Sequence, residues 1–234
     1  MFCSIIHVVI NMKKFALVLE GGALRGVYTA GVLDVLLSNN IYADCVVGVS
    51  AGALNGLNYI SKQVGRSAKI NINYCNDSKY IGRKALFKNK GIIGFDYLFG
   101  EISNKLVPFD YEEFNKSKQR FVAVATNCIT GDSEYFEKNI CSDIFLATQA
   151  SSSMPLASSI VKINGIPYLD GAVSVPVPVK WAIEQGYEKI IVVLTRDMNY
   201  KKTNITNKLK FLYSFAYRKY PNLINKLYTM SERY

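Results

Sequence analysis

Short unbroken apolar runs alternate with segments of helical spacing along most of this chain. Phe15–Leu19 is an apolar run that stops at a glycine-rich turn, which predicts a buried strand. Gly26–Ser38 carries Val27, Ala30, Gly31, Leu33 and Leu37 at mixed helical spacing, and Ser38-Asn39-Asn40 ends it. Cys45–Val49 predicts a second strand, with a helix over 51–59 after it. A β-α-β-α start of this kind predicts a parallel sheet covered by helices. Residues 61–120 are less regular, rich in Asn, Lys and Tyr, and predict short helices in a cap-like excursion. Residues 121–128 return to a buried strand. Thr130-Gly131-Asp132 predicts a turn with Glu134-Tyr135-Phe136 pairing back across it. A helix is expected over 142–150 with Asp143 near its N-terminus. Asn164-Gly165, flanked by Val161–Ile163 and residues 166–169, predicts a hairpin. A helix over 179–185 closes at Gly186, and residues 189–195 predict another buried parallel strand.

The length of 234 residues suits a single α/β domain with a mainly parallel central sheet and helices on both faces. Half the residues are apolar, enough for a sizeable core, and the many aromatics argue against disorder. Cys3, Cys45, Cys75, Cys128 and Cys141 form no Cys-x-x-Cys pair, and with one histidine, His7, no zinc site assembles at usual spacing. The cysteines read as reduced thiols in packing roles. Residues 1–12 read as an upstream extension that ends at an expected start, Met12, before Lys13-Lys14, or as an extra edge strand over 5–10; their apolar run is too short to span a bilayer.

The net charge of +10 is uneven. From Tyr200 onward eight lysines or arginines face one acid, a net +7, with Phe and Tyr interleaved. The favoured reading of residues 196–234 is a set of C-terminal helices with a solvated basic face and inward aromatics. The alternative is peripheral contact with an anionic membrane surface, the inner surface for a cytoplasmic chain. No nucleic-acid-binding module is visible.

Three turns carry candidate chemistry. Gly48-Val49-Ser50-Ala51-Gly52 lies between a strand and a helix, the setting of a nucleophile elbow with its hydroxyl above the sheet edge. His7 precedes every core strand, so something other than histidine is expected to activate Ser50. Glu20-Gly21-Gly22-Ala23-Leu24-Arg25-Gly26 follows the first strand, and its amides, backed by a helix N-terminus, suit an anion or an oxyanion. The spacing is also part of a dinucleotide fingerprint. That fingerprint wants an acid at the end of the second strand, where this chain has Ser50 and places Asp44 before the strand. Asp170-Gly171-Ala172 puts a carboxylate on a tight turn. Alone it reads as a common Asx turn; partly desolvated and in reach of a serine, it is a base.

In that order the three turns resemble the patatin-like phospholipase family over residues 13–195. The resemblance implies a patatin-like, α/β-hydrolase-related three-layer sandwich. It makes Ser50 the nucleophile and Asp170 the base of a Ser-Asp dyad, and it places the oxyanion hole in Gly21, Gly22, Ala23, Leu24, Arg25 and Gly26, with Arg25 at the family's basic position. Gly48 and Gly52 shape the elbow. A dyad needs no histidine, metal or cofactor. Ser151-Ser152-Ser153-Met154-Pro155-Leu156 is similar to the family's small-residue segment near the site. Ala23 departs from the family's Gly-x-Gly-x-x-Gly, and its oxyanion role is expected to require a negative φ. The chain ends soon after its basic tail, which is expected to leave part of the core or acyl pocket uncovered. The implied activity is lipid acyl hydrolysis of the phospholipase A or lysophospholipase type. The rivals are a carboxylesterase or thioesterase on soluble acyl esters, and a non-catalytic lipid-binding module.

Overall fold

The computed structural model describes residues 14–89, 91–197 and 199–233, so the expectations for His7 and residues 1–12 lie outside the described residues. Among them, seven strands form one sheet: β1 (Phe15–Leu19), β2 (Cys45–Val49), β3 (Arg120–Asn127), β4 (Ser133–Glu137), β5 (Val161–Ile163), β6 (Ile166–Asp170) and β7 (Lys189–Val193). Their order is β5-β6-β3-β2-β1-β7, with β4 also on β3. The β7-β1-β2-β3 half is parallel, and β4, β5 and β6 join antiparallel.

The apolar runs are continuous because each central strand packs helices on both faces. Leu17, Leu19, Val46, Phe121 and Ala123 point to one side, against α1 (Gly26–Ser38), α2 (Ala51–Ile60) and α6 (Ile144–Ser151). Ala16, Val18, Val47, Val122 and Val124 point to the other, where Ala182 and Trp181 of α7 (Val179–Glu184) cover them. Asp143 caps α6 by accepting from the Phe145 and Leu146 amides, each at 2.9 Å. The stretch expected to be a cap holds α3 (Arg66–Tyr74), α4 (Arg83–Asn89), a π-helix (Tyr97–Leu106) and α5 (Tyr111–Lys116). It has its own apolar cluster, including Ile70, Tyr80, Phe95 and Ile102.

One strand differs from its expected place. Residues 189–195 are not a buried strand: β7 stops at Val193 and is the edge of the sheet, with Ile191 43% and Val192 38% exposed. An apolar run reports strand propensity and not the number of neighbours, so edge and centre read alike. The tail forms α8 (Asn207–Ala216) and α9 (Pro221–Tyr228). Tyr213, Tyr217, Leu223 and Leu227 pack on Cys128, Leu169 and Val173. The tail thereby covers the outer side of the strand that ends at Asp170.

Candidate active site

Ser50 joins the end of β2 to α2 with φ 56 and ψ −125, a conformation that strains any residue with a Cβ. Its neighbours hold it there. The Ser50 amide donates to Ser151 Oγ at 2.9 Å, and its carbonyl accepts the first helical bond from Leu54 at 3.1 Å. The elbow closes tightly enough that a Cβ on Gly48 would lie 2.6 Å from the Ala53 nitrogen. The hydroxyl lies at the N-terminus of α2, where the helix dipole favours developing negative charge.

Asp170 ends β6 and is buried. Its amide donates to the Ser153 carbonyl at 2.9 Å, and the Thr126 hydroxyl donates to its carbonyl at 2.8 Å, so the backbone is pinned from both sides. Oδ1 accepts from the Ala172 amide at 2.9 Å, and the Ser50 hydroxyl lies close enough to the carboxylate to help hold its pKa down. The turn is the Asx turn that the residue pair suggested, and it sets the carboxylate beside Ser50. Burial pushes the carboxyl up to about 6, against opposing pulls from the Ala172 amide, the Ser50 hydroxyl and the positive charge of Lys202. That value leaves it ionised and basic near neutral pH. Sequence reasoning had not singled out Lys202. Its ammonium is partly desolvated, which lowers its pKa; Asp170 opposes this and the neighbouring Arg233, Arg196 and Arg25 add to it.

The glycine-rich loop lies over the serine: a Cβ on Gly21 would come within 2.8 Å of Ser50 Cβ. Thr195 anchors it, donating from Oγ1 to the Gly21 carbonyl at 2.8 Å, while its amide donates to the buried Glu20 carboxylate. Among the described residues the amides of Gly22, Ala23 and Leu24 have no backbone acceptor, whereas two other expected donors are taken. The Arg25 amide donates to the Gly22 carbonyl at 3.0 Å, and the Gly26 amide is bonded to the Ala23 and Leu24 carbonyls. Arg25 and Gly26 therefore close the turn and their amides are not available to an oxyanion. The expectation of a negative φ at Ala23 also fails, since φ there is 49. That geometry explains why a glycine suits the position. Alanine carries it at a cost of about 1–2 kcal/mol, without using up its N–H.

Ser50, Ala23 and Leu24 open on a cavity of about 260 Å³ whose walls are mostly apolar, among them Leu54, Leu57, Phe95 and Phe145. The small-residue segment after α6 frames it, with Ser152 and Met154 in its lining. Ser151 and Ser153 are buttresses of Ser50 and Asp170, a role that a run of serines does not disclose in sequence. Among the described residues no group of three or more His, Cys, Asp or Glu is placed to hold a metal ion.

Comparison with known families matches the model of the patatin-like phospholipases to residues 17–183. The chain belongs to the patatin-like phospholipase family. Two curated relatives are similar to it. The uncharacterised protein YjjU of Escherichia coli K12 is 30% identical over 196 residues, covering 78% of this chain and 52% of that protein. The probable lipid hydrolase 463L of invertebrate iridescent virus 6 is 27% identical over 220 residues, covering 83% of this chain and 74% of that protein. The chain thus spans about half the length of YjjU. Among solved structures, VipD from Legionella pneumophila aligns with a TM-score of 0.45 at 13% identity, covering 68% of this chain and 46% of that one. The family match takes in the elbow, the glycine-rich loop and the Asp-Gly-Ala turn, and ends within α7.

Proposed function

We propose that this patatin-like chain is a serine lipid acyl hydrolase of the phospholipase A or lysophospholipase type. The observation that carries the reading is the elbow serine Ser50 beside the buried Asp170 carboxylate at the mouth of an apolar cavity. Asp170 takes the hydroxyl proton as Ser50 Oγ attacks the ester carbonyl, and the Gly22, Ala23 and Leu24 amides hold the oxyanion. The carbonyl re-forms as the alcohol leaves with the proton, giving an acyl-serine. Water, deprotonated by the same carboxylate, then releases the fatty acid. Fluorophosphonate labelling read by intact mass tests the first step. One adduct on the wild-type chain, absent in Ser50→Ala, is expected. A folded wild-type chain that takes no adduct favours the non-catalytic lipid-binding module. Hydrolysis of soluble esters with no gain at a lipid interface favours the carboxylesterase reading.

The outer face of the tail supports a membrane-borne substrate. Phe211 and Phe215, one turn apart on α8, are 71% and 70% exposed, with Lys208 and Lys210 on the same helix and Arg218 and Lys219 just after it. Apolar rings among cations suit an anionic lipid interface. Among the described residues no helix is long and apolar enough to cross a membrane. Replacing both phenylalanines by serine is expected to lower partition onto anionic vesicles by about ten-fold or more, and raised salt to lower it in the wild type. Unchanged co-sedimentation of the double variant would remove α8 from the proposal.

A further inference from the structure

The cavity at Ser50 is not apolar throughout. Helix α2 serves as a scale, since Ser50, Leu54, Leu57 and Asn58 line successive levels of it. At the rise of an α-helix, Asn58 lies about 12 Å along the axis from Ser50. At that level a set of polar side chains enters the lining. Arg66 Nη1 donates to Asn58 Oδ1 at 2.6 Å, and Nη2 donates to Ser103 Oγ and to the Val107 carbonyl, each at 2.9 Å. Asn58 Nδ2 donates to Ser67 Oγ at 2.6 Å, and Ser103 Oγ donates to the Leu98 carbonyl at 2.7 Å. Asn58, Arg66, Ser67 and Ser103 are buried, and all four line the cavity. No acid pairs with Arg66 among the described residues. Its charge rests on these oxygens and on the Phe109 ring, 5.0 Å from the guanidinium carbon.

An apolar wall yields to a longer chain by changing rotamers. A cluster like this one does not, because moving Arg66 breaks several hydrogen bonds to a buried charge at once. We propose that the Asn58–Arg66–Ser67–Ser103 cluster is the floor of the acyl cavity and sets the length of chain the site accepts, a medium-length acyl group ending about 12 Å from Ser50. This rests on the serine hydrolase reading above. It makes Arg66 a specificity-determining residue remote from the reacting atoms, and it assigns the π-helix, which supplies Ser103 and ends beside Val107, to the substrate pocket.

The test is the kcat/KM profile over nitrophenyl butyrate, octanoate, dodecanoate and palmitate, measured with the substrates dispersed below aggregation. A maximum at octanoate to dodecanoate is expected, with a fall of about ten-fold or more at palmitate. A steady rise to palmitate in the wild-type chain overturns the proposal and needs no variant. Arg66→Met is expected to shift the maximum toward palmitate while keeping butyrate turnover, which shows that it is folded. An unmoved profile in a variant active on butyrate also overturns it. Should Arg66→Met fail to fold, Leu54→Trp narrows the cavity above the floor and is expected to lower the octanoate-to-butyrate ratio of kcat/KM; an unchanged ratio in a variant still labelled at Ser50 places the acyl chain elsewhere. Absence of Ser50-dependent butyrate hydrolysis counts against the hydrolase reading itself, whereas butyrate hydrolysis without a length limit counts against the floor alone.

Discussion

Asp170→Asn is expected to lower ester hydrolysis roughly 100- to 10,000-fold while making the folded chain more stable at neutral pH. The first effect follows because asparagine accepts a hydrogen bond from Ser50 but not its proton. The second follows from burial. Raising a carboxyl from its ordinary 3.8 to about 6 means that the ionised side chain disfavours the folded state by roughly 3 kcal/mol. At pH below 3.8 the group is protonated in both folded and unfolded chains, and the penalty is absent. It grows as pH rises from 3.8 to about 6 and is complete above that. The asparagine variant carries no such charge, so its advantage in melting temperature should appear above pH 6 and shrink toward pH 4. The wild-type kcat/KM should rise through pH 6, as ionised Asp170 becomes available, and then level off. Melting curves of both proteins from pH 4 to 8, beside their hydrolysis rates, test this. A variant that hydrolyses at the wild-type rate removes Asp170 from the chemistry. One that is less stable at every pH shows that the carboxylate's bond from the Ala172 amide and its contact with Ser50 outweigh its charge.

Much of this site was legible in sequence because its geometry depends on residues with few alternatives. Gly48, Ser50 and Gly52 between an apolar run and a helix specify an elbow in one reading frame, and the structure places Ser50 there with φ 56. Asp170-Gly171 was ambiguous alone, and only the sheet resolves it: β6 pairs antiparallel to β3, which brings the turn beside the end of β2. Long-range pairing of that kind leaves no local trace. The same limit explains why the sequence offers Ser151 and Ser153 only as part of a small-residue segment near the site, although their oxygens accept from the Ser50 and Asp170 amides. A glycine-rich loop shows how many amides are present and not which ones close its own turn. Arg25 and Gly26 close it. The polar part of the cavity was hidden because Asn58, Arg66 and Ser103 lie on three separate elements, the last two of them in the least regular stretch. For the tail, the periodicity of Tyr213, Tyr217, Leu223 and Leu227 matches their inward packing, and the exposed Phe211 and Phe215 depart from it.

Gly52→Ala is expected to destabilise the chain by about 3 kcal/mol and to abolish labelling of Ser50, although alanine is the better helix former. Gly52 is in the first turn of α2, where propensity alone predicts a gain. A Cβ there would lie 2.4 Å from the Leu19 carbonyl oxygen and 2.8 Å from that of Glu20. Both are backbone atoms, so no rotamer change relieves the contact. Leu19 is held in the sheet by β2 and β7 on either side, and Glu20 leads directly into the loop that covers Ser50. Relief therefore has to move either α2, which carries the nucleophile, or residues 21–24, which carry the free amides. Gly31 provides the contrast within the same protein. It is a helical glycine in α1 with nothing within 4 Å of its would-be Cβ, so Gly31→Ala should follow propensity and stabilise by about 0.5–1 kcal/mol with labelling intact. Urea unfolding of the two variants beside the wild type reads both signs. Wild-type stability and labelling in Gly52→Ala would mean that the close approach of α2 to the β1 terminus is not what holds the elbow. Opposite signs at two helical glycines would show that tertiary contact, and not helix propensity, decides where this chain needs them.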